Sequence, residues 1–227
     1  EQKQQIERNT RQFVRGLPAN NVLLTGARGT GKSSLIKAVL NQYAAEGLRL
    51  IEVERMELVD LPDIVELLCR RPERFIVYCD DLSFDDGEAG MRELKVALEG
   101  SVETTPSNVR IIATSNRRHL VPEFASENRA ARLDDDGELH VGEALEEKLA
   151  LADRFGLVLG FYGFDQPTYL RIVDRYAQKA GIEWPRDRLH AEALRFALDR
   201  SSRSGRVARH FVDDLAGRIA LERAGGS

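Results

Sequence analysis

The stretch GARGTGKSS at residues 26–34 constrains the fold of this chain more than any other part of it. It follows the apolar run VLLT directly and precedes a segment in which Leu35, Val39 and Tyr43 form one helical stripe. Glycines at this spacing let the backbone curl so that several N–H groups point at one anion, and the helix that follows adds the positive end of its dipole. The stretch therefore predicts a strand, an anion-binding loop and a helix, in that order.

This loop fits the pattern G-x-x-x-x-G-K-[ST] at Gly26, Gly31, Lys32 and Ser33. In such a loop, Lys32 is expected to reach the β and γ phosphates of a nucleoside triphosphate, and the hydroxyl of Ser33 is expected to hold Mg²⁺. The alternative is an ordinary glycine-rich turn with a solvated lysine, which the order of strand, loop and helix disfavours. The residues predicted to contact the nucleotide are Gly26, Ala27, Arg28, Gly29, Thr30, Gly31, Lys32, Ser33 and Ser34.

Alternating strand and helix patterns over the first part of the chain predict an α/β fold. Four further runs have the short, uninterrupted apolar character of strands buried on both faces: RLIEV near residue 50, FIVYC at 75–79, VRIIAT at 109–114 and LVLGF at 157–161. Helical stripes separate them: Ile64, Leu67 and Leu68, then Met91, Leu94 and Leu98. We therefore expect a parallel sheet with helices on both sides. A leading helix, with Ile6, Phe13, Val14 and Leu17 on one side, precedes the first strand.

The strand patterns stop near Phe164, and only helical periodicity continues to the end of the chain. This predicts an α/β core at residues 1–164, of which 1–19 are the leading helix and its turn, and a small helical domain at 165–227. Ser204 is the expected N-cap of the last helix. The polar segment at 126–148 is expected to be an exposed or mobile loop.

Polar residues follow two of the predicted strands at the point where each strand ends. Asp80 and Asp81 come directly after FIVYC, where open parallel sheets carry their ligands, and Asn116 follows the next strand. Asp80 is expected to position Mg²⁺, and Asp81 to act as general base on the attacking water. Asn116 can orient that water without adding charge. The alternatives are two surface aspartates at a turn and ordinary turn chemistry in the TSN sequence.

Composition excludes several classes of protein. The net charge is −4 over 227 residues, which gives no strong signal for a nucleic-acid-binding face. The apolar runs are too short to cross a membrane. Cys69 and Cys79 lack metal-site or redox spacing, so we expect reduced core thiols and a cytoplasmic protein. The four histidines also lack ligand spacing, and the start at Glu1 rather than Met favours a longer natural chain.

Taken together, the motifs resemble those of AAA+ ATPases: GARGTGKS, the CDD after a strand, ATSN after the next strand, and LADRFGLVLGF before a helical tail. The sequences ATSNRRHLVPE, DRFGLVLGFYGFDQ and SRSGRVAR resemble more narrowly the bacterial domain-of-unknown-function family 815. The resemblance covers most of the chain from residue 20 to 218. It implies a P-loop NTPase core with a five-stranded parallel sheet, a helical lid, and ATP with Mg²⁺ bound between the subunits of a ring such as a hexamer.

The resemblance also assigns roles to single residues. Asn116 takes the position of sensor 1, and Arg154 that of an arginine finger reaching into the adjacent subunit. Arg206 takes the position of sensor 2, with Arg209 as the alternative. The catalytic set is thus Lys32, Asp81, Asn116 and Arg154, and the metal set is Ser33 and Asp80. Other arginines remain open as intersubunit groups: Arg117, Arg118, Arg129 and Arg132.

The alternative is that these arginines have structural roles and do not act on the nucleotide. Arg154 could pair with an acidic neighbour such as Asp153 or Glu147, and the two lid arginines could form a solvated helix face.

The leading functional hypothesis is an ATP hydrolase in a homo-oligomer that remodels an unidentified macromolecular client. Two features of the sequence depart from the AAA+ pattern and weaken this hypothesis. Asp81 replaces the usual Glu, which predicts slow turnover, and Arg55, Met56 and Glu57 stand where protein-threading members carry an aromatic residue and a glycine. The alternatives are an ATP-controlled switch or loader with negligible hydrolysis, and a small-molecule P-loop kinase.

Overall fold

The computed structural model of the protein describes residues 1–82, 90–99, 106–116, 132–133, 139–140 and 150–225. The side chains of Met91 and of residues 132–133 and 139–140 are not part of this description. Arg117, Arg118 and Arg129 lie outside the described residues, as does most of the polar segment at 126–148.

The main sheet has five parallel strands, which confirms the predicted fold class. In chain order the strands of the molecule are β1 (Val22–Gly26), β2 (Leu48–Val53), β3 (Arg74–Cys79), β4 (Val109–Ser115), β5 (Arg132–Leu133), β6 (Leu139–His140) and β7 (Leu157–Phe161). The spatial order of the main sheet is β2-β3-β4-β1-β7, while β5 and β6 form a separate antiparallel pair. Strands β2, β3 and β4 therefore lie on one side of β1, and β7 lies on the other. The strand order reverses at β1, and parallel sheets of this kind bind ligands at the carboxyl ends of the strands where the order reverses.

Helices cover both faces of this sheet because side chains alternate along each strand. On one face, α1 (Gln2–Val14) and α2 (Lys32–Tyr43) pack with Val22 and Leu24 of β1. On the other, α3 (Leu61–Cys69) and α4 (Met91–Glu99) pack with Leu23 of the same strand. Short 3₁₀ turns at Ala44–Glu46 and Arg55–Asp60 flank β2. Neighbouring residues of β1 thus belong to two separate apolar layers.

Three helices follow the last strand and enclose an apolar core of their own. They are α5 (Gln166–Lys179), α6 (Arg186–Asp199) and α7 (Gly205–Gly225). Tyr169 is fully buried among them, and its hydroxyl donates to the carbonyl oxygen of Ala193 at 3.1 Å. The Ser204 hydroxyl oxygen accepts the N–H of Val207 at 3.2 Å, which confirms Ser204 as the N-cap of α7.

The chain divides into two compact units. The α/β unit contains Glu1–Gly26 and Lys32–Phe161, and the helical unit contains Ala27–Gly31 and Tyr162–Ser227. The middle of the glycine-rich loop therefore groups with the helices rather than with the sheet. None of the helices in the described part of the chain is long and apolar enough to span a membrane.

Three sequence-based predictions about the core are wrong. Leu17 does not extend the leading helix, because Gly16 adopts a φ of 75° and the N–H of Leu17 bonds the Gln12 carbonyl, a left-handed C-cap that ends α1. Leu67 is 70% exposed, since α3 turns Val65 and Leu68 inward instead. Cys69 is exposed at the end of α3, whereas Cys79 in β3 is a buried thiol as expected.

Candidate nucleotide site

The glycine-rich loop runs from the last residue of β1, Gly26, to the first residue of α2, Lys32. Gly26 has a φ of 121°, and a Cβ there would lie 1.9 Å from the carbonyl oxygen of Phe161 in β7. Gly29 and Gly31 have φ values of 77° and 99°, which other residues rarely adopt. The spacing of these glycines is thus required by the backbone path.

The remaining loop residues are placed as follows. Thr30 is buried, and its hydroxyl donates to the Ala27 carbonyl oxygen at 2.8 Å, which closes the loop on itself. Arg28, within the loop, and Ser34, in the first turn of α2, are both exposed.

Lys32 is the charged residue at the centre of the site. Its side chain is only 6% exposed, and its Nζ donates to the carbonyl oxygen of Gly26 at 2.6 Å and to Oδ1 of Asn116 at 3.3 Å. Burial of an ammonium group is costly unless it is well hydrogen-bonded. The loop therefore keeps a cation beside backbone N–H groups, an arrangement suited to phosphate oxygens.

Three hydroxyl groups converge on one oxygen of Asp80, the first residue after β3. Its Oδ1 accepts from Thr114 Oγ1 at 2.5 Å, from Tyr78 Oη at 2.8 Å and from Ser33 Oγ at 3.5 Å. Ser33 and Asp80, both predicted as metal ligands, are thus brought together. Tyr78 was missed by the sequence analysis, although its place two residues before Asp80 puts both side chains on one face of the strand.

Asp81, the next residue, adopts a left-handed conformation with a φ of 55°. Its N–H donates to Thr114 Oγ1 at 2.9 Å, and its carboxylate accepts from Nδ2 of Asn116. The amide of Asn116 therefore lies between Lys32 and Asp81, accepting from the first and donating to the second. Sequence alone placed these three residues at the same edge of the sheet but did not predict this bridge.

Burial raises the pKa of two side chains in β3, Tyr78 and Cys79. Burial raises the pKa of the Tyr78 hydroxyl, as does its hydrogen bond to Asp80, so this hydroxyl stays protonated and donates. Burial also raises the pKa of the Cys79 thiol to about 12, which keeps that thiol unreactive at neutral pH.

Arg154, the candidate arginine finger, makes contacts within its own subunit. Its guanidinium contacts Oε1 of Glu99 at the end of α4, and its Nη1 donates to the carbonyl oxygen of Ala150. The sequence suggested Asp153 or Glu147 as the acidic partner; Asp153 is wrong, and Glu147 lies outside the described residues. Glu99 is 55 positions away in the chain, so no local pattern pointed to it.

The two sensor 2 candidates occupy different surroundings within the helical unit. Arg206 adjoins the loop: the N–H of Gly205 donates to the Gly29 carbonyl at 2.9 Å, and a Cβ at Gly29 would lie 3.3 Å from Cβ of Arg206. Arg209 is instead paired along α7 with both carboxylate oxygens of Asp213, each at 3.0 Å.

Metal binding by other residues finds no support in the described ranges. No group of three or more His, Cys, Asp or Glu side chains lies close enough there to hold an ion. Ser33 and Asp80, whose side chains lie 3.5 Å apart, stay the predicted metal ligands.

A protein-family model matches residues 1–219 of the chain, and that family is described as "Protein of unknown function (DUF815)". The chain belongs to the DUF815 family. Curated relatives of this DUF815 protein include a 26S proteasome regulatory subunit 4 homolog of Schizosaccharomyces pombe, 33% identical over 118 residues, which cover 44% of this chain and 26% of the relative. A probable 26S proteasome regulatory subunit 4 of Caenorhabditis elegans is 36% identical over 89 residues, covering 34% and 20%. The matches span about a quarter or less of these relatives' length.

Solved structures show the same fold. The RuvB Holliday junction branch migration motor of Thermotoga maritima matches with a TM-score of 0.64 at 15% identity, covering 98% of this chain and 63% of RuvB. The AAA domain of FIGL-1, solved in complex with ADP, matches with a TM-score of 0.60 at 18% identity, covering 95% and 70%. This DUF815 protein therefore has the AAA+ P-loop NTPase fold and is related to AAA+ ATPases.

Proposed function

We propose that this DUF815 protein binds ATP with Mg²⁺ and hydrolyses it between the subunits of a homo-oligomer, to remodel a macromolecular client in the cytoplasm. In this proposal residues 1–164 form the nucleotide-binding core and 165–227 the lid. The observation that carries it is the buried Lys32, which the glycine-rich loop and Asn116 hold at the carboxyl end of β1. The remodelling role rests on the relation to AAA+ ATPases.

The residues at this site fit a nucleoside triphosphate and its metal. Gly26, Gly29 and Gly31 have positive φ values, a kind of backbone curl that can aim N–H groups at an anion, and the buried Lys32 adds a positive charge. The hydroxyl of Ser33 and the carboxylate of Asp80 are the oxygen ligands that Mg²⁺ prefers, directly or through water. When bound, the metal would neutralise charge on the phosphates.

Each residue then has a task that follows from its contacts. Lys32 exchanges its carbonyl and amide partners for phosphate oxygens. Asp81 accepts a proton from the attacking water, and Asn116 keeps the Asp81 carboxylate oriented. Arg206, which adjoins Gly29, supplies a positive charge beside the loop.

Arg154 must leave its partners before it can serve a neighbouring subunit. Its ion pair with Glu99 is partly exposed, with side-chain exposures of 30% and 51%, so breaking it costs little free energy. An arginine finger contributes about 10³ to 10⁵ in rate in related phosphoryl transfer. An isolated subunit should therefore turn over ATP slowly.

The test is ATP turnover measured as a function of protein concentration. We expect the turnover per subunit to rise with concentration, and Lys32→Ala to lower it about 100-fold or more. Lys37→Ala is the matched control, because Lys37 is an exposed lysine on the same helix. Turnover that survives Lys32→Ala, or that does not depend on concentration, would contradict the proposal.

A second candidate function is an ATP-controlled switch with negligible hydrolysis. The conformation of Asp81 favours it, since a short carboxylate in a left-handed turn, already bonded to Asn116, has less reach towards water than a glutamate. Single-turnover measurements with excess protein separate the two functions. ATP that stays intact for hours while bound supports the switch, and rapid ADP formation excludes it.

A further inference from the structure

Among the described residues, Asp80 accepts hydrogen bonds from Ser33, Tyr78 and Thr114, and neither the sequence motifs nor the proposed function assigns a role to Tyr78 or Thr114. Tyr78 lies in β3 within the apolar layer that includes Val22 and Leu24, and it is 3% exposed. A phenylalanine would fill the same space in that layer. The additional hydroxyl reaches out of the layer to Oδ1 of Asp80 at 2.8 Å.

The hydroxyl makes a charge-assisted hydrogen bond. A buried hydroxyl costs free energy unless it finds a partner, and a carboxylate partner gives a shorter and stronger bond than a neutral one. Thr114 Oγ1 donates to the same oxygen at 2.5 Å, from the neighbouring strand β4. Two donors on rigid strands therefore hold one oxygen of Asp80 in place.

The other oxygen of this carboxylate is left for a ligand. Within the described ranges of the chain, the hydrogen bonds to Asp80 all end at Oδ1. A carboxylate fixed by one oxygen presents its second oxygen in a defined direction. Partners of this kind, which orient a metal ligand without touching the metal, typically change metal affinity by 10- to 100-fold when they are removed.

We propose that Tyr78 is a positioning residue that fixes the Asp80 carboxylate for Mg²⁺ bound with the nucleotide. This inference rests on the proposed function, because it assumes that Ser33 and Asp80 hold Mg²⁺ beside ATP. It adds to that function a residue in the interior of β3 that sets the affinity for the metal.

The experiment is a titration of Mg²⁺ at a fixed, subsaturating concentration of a fluorescent ATP analogue, read by the anisotropy of the bound analogue. For Tyr78→Phe we expect the half-saturating Mg²⁺ concentration to rise about 10-fold. Tyr43→Phe is the matched control, because Tyr43 is buried in the same apolar layer and is not among the described residues that donate to Asp80. Its Mg²⁺ dependence should equal that of the unsubstituted protein.

The outcomes separate this inference from the proposed function. If the unsubstituted protein does not bind the analogue at any Mg²⁺ concentration, the proposed function fails. If it binds with a clear Mg²⁺ dependence and Tyr78→Phe shifts that dependence less than twofold, Tyr78 is not a positioning residue. A comparable shift in Tyr43→Phe would also overturn the inference, since the effect would then come from packing.

Discussion

Asn116 joins two opposite charges through one amide group. Its oxygen accepts from Lys32 and its nitrogen donates to Asp81, so the side chain has one orientation that satisfies both. An amide is suited to this place because it supplies a donor and an acceptor without net charge. The carboxylate of Asp81 is thereby oriented before any substrate arrives.

Replacing this amide by a carboxylate should disable hydrolysis. In Asn116→Asp the donor to Asp81 is lost and two carboxylates face each other, so we expect ATP turnover to fall about 100-fold. Binding of ATP should also weaken, but by less than turnover, because the added carboxylate competes with the phosphate oxygens for Lys32. Steady-state turnover and equilibrium binding measure the two effects.

The matched control for this substitution is Asn41→Asp, which adds the same charge at an exposed position of α2. Equal losses of turnover in the two variants would mean that the added charge, rather than the lost bridge, causes the effect.

At the scale of single elements, the ends of the helices in the helical unit show how local backbone geometry affects stability. Helices α5 and α6 both end in a left-handed C-cap, with the 6→1 bond made by Ile182 in the first and Ser202 in the second. The left-handed residue is Gly181 after α5 but Ser201 after α6, with φ values of 66° and 48°. The left-handed backbone is therefore free of steric strain at Gly181 and strained at Ser201, which has a Cβ atom.

Exchanging these residue types should change the stability of the helical unit in opposite directions. We expect Ser201→Gly to raise the free energy of unfolding by about 1 kcal/mol and Gly181→Ser to lower it by a similar amount. Nothing lies within 4 Å of a Cβ built on Gly181, so the effect there is one of backbone conformation. Chemical denaturation followed by fluorescence of Trp184, the single tryptophan of the chain, reports on this unit. Shifts of the same sign in both variants would contradict the account.

An ion cluster between α5 and α6 should make the stability of the helical unit sensitive to acid. Asp174 accepts from Arg186 at 2.8 Å and contacts Nε2 of His190 at 2.6 Å. Burial alone would raise the pKa of Asp174, but the hydrogen bonds from His190 and Arg186 outweigh it and lower the pKa below its usual value.

The sign of the pH dependence follows from this lowered pKa. In an unfolded chain, an Asp carboxyl has a pKa of about 3.9. The contribution of Asp174 to the free energy of unfolding is therefore complete above that pH, and it is lost as the pH falls through the lower pKa of the folded protein. We expect Asp174→Asn to destabilise the helical unit near neutral pH and to flatten the acid dependence of its stability below about pH 4. Trp184 fluorescence in urea at several pH values measures both, and an unchanged acid dependence would contradict the assignment.

The same local chemistry explains which elements could be predicted. The strands could be predicted because short, uninterrupted apolar runs such as FIVYC are typical of strands that are buried on both faces of a parallel sheet. The end of α1 was missed because Gly16 can cap a helix or simply lie within a turn, and an apolar Leu17 resembles a continued stripe. Leu67 was misassigned because three apolar residues in a short helix allow more than one buried face.

At the scale of the whole molecule, the parallel sheet brings distant residues to one edge. Lys32, Asp80 and Asn116 follow strands β1, β3 and β4, and β4 lies between the other two. Sequence could predict this meeting because parallel strands share one carboxyl edge. It could not predict the hydroxyl of Tyr78 or the pairing of Arg154 with Glu99, since both depend on side-chain packing between elements.

If Arg154 acts on a neighbouring subunit, two inactive variants should complement each other. Lys32→Ala cannot use its own site but still supplies Arg154, and Arg154→Ala does the reverse. In a 1:1 mixture with random assembly we expect about a quarter of the interfaces to be intact, and ATP turnover of about that fraction. Each variant alone should be nearly inactive. A mixture no more active than its components would place Arg154 outside the neighbouring site.

The two thiols offer a way to observe such assembly directly. Cys79 is enclosed in β3 with its pKa raised to about 12, while Cys69 is exposed at the end of α3. A maleimide dye should therefore attach at a single position per chain without any engineered cysteine. Energy transfer between donor- and acceptor-labelled copies would then report subunit exchange in the same mixtures whose turnover is measured.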